Sequence, residues 1–117
     1  MPSKSPAQRL KDIVDNIDAI RAFTAGMTVD GFVRDRKTVY AVTRALEIIS
    51  ESSRRLPDDF KASNLSIDWP AVAAAGNVYR HEYELVDDAL LWHTVQHGLE
   101  QLRHVSSVEL QRLEESK

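Results

Sequence analysis

Leu10, Ile13, Val14, Ile17, Ile20 and Phe23 recur at steps of three and four near the start of the chain. That spacing places side chains on one face of an α-helix. Lys11, Asp12, Asp15, Asp18 and Arg21 fill most of the other positions, so the pattern is that of a helix with one apolar and one wet face. Residues 1–6 read as a disordered lead. Gly26 is a natural stop, because glycine tolerates the left-handed conformation that closes a helix. Thr28 is a natural N-cap for a short helix over 29–34.

The next stripe is Val42, Ala45, Leu46, Ile49 and Leu56, broadened by Ile48. Asp35 or Thr38 opens this helix, and Pro57 ends it because the ring cannot continue the hydrogen-bond ladder. Arg54 and Arg55 fall in its last turn. Cations complement the dipole there, and the other reading of the pair is a phosphate clamp. Residues 57–69 form a connection with a single turn around Phe60. Asp68-Trp69-Pro70 is a helix-start signal. The helix that follows, from Ala71 to about Arg80, is rich in small residues. Ala73, Ala74, Ala75 and Gly76 permit close approach of another helix, within the chain or from a second copy.

Asp87 is placed to cap a last strong helix, with Leu91, Trp92, Val95, Leu99 and Leu102 as its apolar face. His93, His97, Glu100 and His104 recur at steps of four, three and four. They share one side, but on a helical wheel it lies opposite the apolar face. They are expected to face water, and no metal site is predicted. Val105 to Lys117 reads as a weak helix or a frayed tail. No alternating run argues for a sheet. The predicted fold is all-α: an up-and-down antiparallel bundle of four to five helices, in one domain spanning residues 1–117.

Composition supports this reading. The 117 residues are 43% hydrophobic and 28% charged, with only 4 Gly and 4 Pro, a globular balance with few tight turns. The net charge of -3 does not advertise nucleic-acid binding, although a local basic cleft survives such a total. No cysteine is present, which excludes disulfides and thiolate metal sites and fits a reducing compartment. No apolar run approaches a membrane span. The expectation is a soluble, cytoplasmic protein with no cofactor.

The densest chemistry lies between Gly76 and Asp87: Gly-Asn-Val-Tyr-Arg-His-Glu-Tyr-Glu-Leu-Val-Asp. The imidazole of His81 transfers protons near neutrality. Arg80 carries a permanent charge on a donor fork that suits phosphate. Tyr83 offers a hydroxyl as donor, acceptor or modification site. A phosphate-handling site uses such a set. An ordinary polar helix end uses the same residues to satisfy its dipole.

The order of features resembles the HepT-like proteins, small HEPN-domain ribonuclease toxins of toxin–antitoxin pairs. The likeness runs from about Leu10 to Leu102. It rests on Leu10-Lys-Asp-Ile, Phe23-Thr-Ala-Gly-Met-Thr, then Phe32 and Asp35, and on Ala41-Val-Thr-Arg-Ala-Leu-Glu-Ile-Ile-Ser-Glu-Ser. It continues through Ile67-Asp-Trp-Pro to Asn77-Val-Tyr-Arg-His-Glu-Tyr. The family's signature is arginine-asparagine, a short spacer, histidine, any residue, tyrosine. Asn77, His81 and Tyr83 match it, and Gly76 stands where the family has arginine. Arg80 immediately precedes His81 instead.

The resemblance implies a metal-independent endoribonuclease. His81 is then the catalytic histidine, Asn77 a motif residue, and Arg80 the nearest replacement for the missing cation. It also implies a homodimer that brings two motifs to one cleft. The implied partner is a cognate MNT-type nucleotidyltransferase antitoxin, which adds AMP to Tyr83. Gly76 supports a second implication, a catalytically inactive HEPN subunit that binds the same kind of partner.

Overall fold

The computed structural model describes residues 5–81 and 88–116, with side chains described for 5–75 and 88–116. All regular structure among the described residues is helical: α1 Pro6–Thr24, α2 Val29–Arg34, α3 Arg36–Arg54, α4 Asp58–Ala62, α5 Trp69–His81, α6 Asp88–His97 and α7 Glu100–Glu115. The all-α expectation is met. Five of these helices are long, and α2 and α4 are short connectors.

Thr28 and Asp35 cap helices as expected, and Ser5 is a further cap. The Ser5 hydroxyl accepts from the Gln8 N–H at 3.2 Å, and Pro6 occupies the first turn of α1. The helix therefore begins within the stretch read as a disordered lead; residues 1–4 lie outside the described residues. Gly26 adopts φ +76°, the conformation a side chain disfavours. Thr28 caps α2 by accepting from the Gly31 N–H at 3.1 Å. Asp35 caps α3 by accepting from the Thr38 N–H at 3.2 Å. Each bond satisfies a donor that the first helical turn leaves orphaned.

One continuous core joins the stripes. Leu10, Ile13, Ile17 and Ile20 of α1 meet Val42, Leu46 and Ile49 of α3, together with Leu91, Leu99, Leu102 and Val105 from the C-terminal part. Phe32 of α2 is fully buried and stacks obliquely on Trp92 of α6, ring centroids 5.2 Å apart. Phe23 departs from its expected place in the α1 stripe and is 46% exposed. The buried row passes from Ile20 to Thr24, whose hydroxyl donates to the Ile20 carbonyl at 2.8 Å.

The last long helix of the sequence reading is two helices. α6 ends at His97 and α7 starts at Glu100, with Gly98 between them. A Cβ on Gly98 would lie 2.9 Å from the Thr94 carbonyl oxygen, closer than packing allows. α7 then continues to Glu115, through the segment read as weak or frayed. It runs antiparallel to α1: Arg21 pairs with Glu100 at 2.6 Å, and one turn back Asp18 pairs with Arg103 at 2.7 Å. Near the far end of the pair, Leu110 and Leu113 pack on the core. No described helix is long and apolar enough to cross a membrane.

Candidate functional site

α5 carries most of the motif, and its N-terminal half is tied down firmly. The Asp68 carboxylate accepts from the Ala71 N–H at 3.1 Å, and Pro70 presets the first turn. Trp69 is buried, meets Phe60 edge-on at 5.6 Å, and donates its indole N–H to the Asn64 carbonyl at 3.1 Å. Val72 and Ala75 pack against the core. Alanine is the best helix former, and the helix begun here runs to His81.

Asn77, Arg80 and His81 therefore lie in the last turns of α5. Positions 77 and 81 are one turn apart on one face. They continue the row that starts with Pro70 and Ala74, both exposed. Arg80 is a helical position on the flank of that row, about 60° from position 77 around the axis. It belongs to the helix, as the expected span from Ala71 to about Arg80 has it. Tyr83 and the expected cap Asp87 lie outside the described residues.

α3 grips α5 just before the motif. The Ser50 hydroxyl donates to the Val72 carbonyl at 2.8 Å. The Arg54 guanidinium donates through Nη1 to the Ala73 carbonyl at 2.7 Å. Buried Ser50, Ser52 and Ser53 give α3 small side chains on a covered surface, which lets helices approach closely. Arg54 also donates through Nη2 to Glu51 at 2.6 Å, and Arg55 donates through Nε to the same carboxylate at 3.1 Å. The Arg54 bond, with that of Arg55 behind it, holds the Glu51 carboxyl below the usual carboxylate range. Two guanidiniums and one carboxylate leave this cluster with one net positive charge.

The sequence reading gave the Arg54–Arg55 pair chiefly a dipole role. The structure splits the pair: Arg54 turns to α5, while Arg55 caps α3 and is 61% exposed at its side chain. No signal in the sequence joins position 54 to position 73.

His93, His97, Glu100 and His104 are all exposed, as expected. The break at Gly98 divides them between α6 and α7. His93 and His97 stack at 4.5 Å. Among the described residues, no group of three or more histidine or acidic side chains is placed to hold a metal ion.

Comparison with known proteins places this arrangement. Residues 13–108 match the family model described as Ribonuclease HepT-like. The chain belongs to the HepT-like ribonuclease family. A probable ribonuclease HepT of Thermococcus cleftensis is 38% identical over 100 residues, covering 86% of this chain and 91% of the relative. A putative RNase of Methanocaldococcus jannaschii is 36% identical over 95 residues, covering 81% and 78% respectively. No solved structure matches the chain. The HepT-like match spans α5 whole and extends into α7, so all four motif positions fall within it.

Proposed function

We propose that this HepT-like chain is a metal-independent endoribonuclease, the toxin of a toxin–antitoxin pair. The observation that carries the proposal is the family match over residues 13–108, joined to a helix that sets positions 77 and 81 one turn apart on one face. That spacing suits one phosphodiester between two side chains. His81 takes the proton of the ribose 2′-hydroxyl. The 2′-oxygen then bonds to phosphorus, and the bond from phosphorus to the 5′-oxygen breaks. The 5′-oxygen leaves with a proton from solvent, and the product carries a cyclic phosphate. A cation beside the phosphate stabilises the charge that gathers on its oxygens.

The active form is a homodimer in which one cleft receives two copies of His81. The partner is an MNT-type nucleotidyltransferase that adds AMP to Tyr83. The attached phosphate brings negative charge beside Arg80 and His81, repelling RNA as well as filling the cleft.

Gly76 favours a second reading, a subunit that binds the nucleotidyltransferase without cutting RNA. Purified, unmodified protein incubated with a mixed RNA pool decides between them. Cleavage that disappears in His81→Ala supports the nuclease. An intact pool over a range of pH leaves the binding subunit. Light scattering on the same protein should give twice the 13.2 kDa chain mass; a monomer at micromolar concentration overturns the shared cleft.

A further inference from the structure

We propose that Arg54, reaching from α3 onto α5, is the guanidinium that contacts the RNA phosphate beside His81. The inference rests on the ribonuclease reading and names a residue of that site which the motif does not contain.

Cleavage without a metal needs a fixed cation where charge develops on phosphorus oxygens. Arg80 is a positive residue within the motif, and it lies on the flank of the row formed by positions 77 and 81. Arg54 approaches the same ground from outside the helix. Its Nη1 donates to the Ala73 carbonyl at 2.7 Å. In an α-helix that carbonyl faces the N–H of residue 77, so the guanidinium stands at the level of Asn77. Position 81 is four residues further, about 6 Å along the axis and about 80° around it from position 73. A phosphate held by a guanidinium at about 2.8 Å spans that interval.

The guanidinium is also suited to the task. It is one-third exposed, open enough for a ligand and covered enough to hold its orientation. Its bonds to Ala73 and Glu51 take two of five N–H donors. Glu51 fixes the plane of the fork. Because Arg55 shares that carboxylate, the cluster keeps the net positive charge an anion needs.

The test uses the full chain, unmodified, and a fluorescent oligoribonucleotide, with steady-state cleavage and binding anisotropy measured on each variant. Arg54→Gln is the informative substitution. It removes the charge, and because its shorter amide stops short of the Ala73 carbonyl, Arg54→Lys, which keeps the charge and most of the reach, is measured beside it. If Arg54 contacts the phosphate, Arg54→Gln lowers kcat/KM roughly 10²-fold or more, with kcat falling, and Arg54→Lys recovers part of the loss. Arg112→Ala, which removes a surface pair with Glu109, stays at the wild-type rate. Circular dichroism confirms that each variant is folded.

If Arg54→Gln cuts as fast as wild type, the proposal is overturned and the ribonuclease reading stands. If wild type leaves the oligonucleotide intact, the ribonuclease reading falls and binding decides for Arg54. A tenfold or greater weakening in Arg54→Gln then supports the phosphate contact, and unchanged binding overturns it.

Discussion

Arg54 of α3 donates a 2.7 Å hydrogen bond to the Ala73 carbonyl oxygen of α5. This bond ties the end of one helix to the middle of another, one turn before the motif begins. With the Ser50–Val72 bond beside it, it fixes α5 against α3 just before the motif. Site geometry here depends on helix packing as much as on the motif itself.

Cleavage should gain speed on the acid side of neutrality as pH rises. On the ribonuclease reading His81 is the general base, and only a neutral imidazole accepts the proton, so the rate climbs as pH rises. His81→Ala should lose roughly 10²–10⁴-fold, and EDTA should leave the wild-type rate unchanged. A rate that falls on adding EDTA and returns with a divalent ion would replace this mechanism with metal catalysis.

Tyr83 should carry AMP after co-expression with the cognate nucleotidyltransferase. The modified protein gains the mass of an AMP group on the peptide containing Tyr83 and loses cleavage. Tyr83→Phe should escape both effects. Equal modification of Tyr83→Phe would move the acceptor to another residue.

Phe32→Ala should strip the core of its contact between α2 and α6. Phe32 is fully buried against Trp92, and such truncations cost roughly 3–5 kcal/mol. That is a large part of the stability of a small domain, so the thermal midpoint should drop by many degrees. A midpoint within a degree or two of wild type would mean that α2 contributes little to the fold.

The α1–α7 pairing should weaken in acid. The Arg103 guanidinium bonds both carboxylate oxygens of Asp18, at 2.7 and 3.0 Å, and holds its pKa below the usual value. A depressed carboxyl stabilises the fold above its unfolded pKa. That contribution is lost as pH falls through the lower, folded value. Both partners are partly exposed, so the pair is worth about 0.2–1 kcal/mol and is screened by salt. Asp18→Asn should lower stability by that amount at pH 7 and by nothing below about pH 2. An equal loss at both pH values would point to packing instead of charge.

Local rules were legible in the sequence because their causes are local. Apolar residues at three- and four-residue steps place one helical face in the core wherever the chain lies in space. Thr28, Asp35 and Asp68 cap helices with their own side chains, and Gly26 turns the chain because it lacks a Cβ. The motif from Asn77 to Tyr83 pointed to the family in the same way, by order and spacing along the chain.

Tertiary structure decided what depends on residues far apart. The apolar run from Leu91 to Leu102 reads as one helix. It breaks at Gly98, where α7 turns to lie along α1. The faint pattern after Val105 becomes regular helix because α1 supplies the partners, Asp18 and Arg21 for its first turn and the core for Leu110 and Leu113. Ser50, Ser52 and Ser53 look like surface residues in sequence. They are buried because hydroxyls such as those of Ser50 and Ser53 are satisfied by carbonyls, Val72 and Ser50 respectively, and because small side chains fit a tight helix contact. Arg54 looks like an ordinary cation at a helix end. Only the packing of α3 on α5 sets its charge beside the motif, since no rule of spacing along the chain connects residue 54 to residue 73.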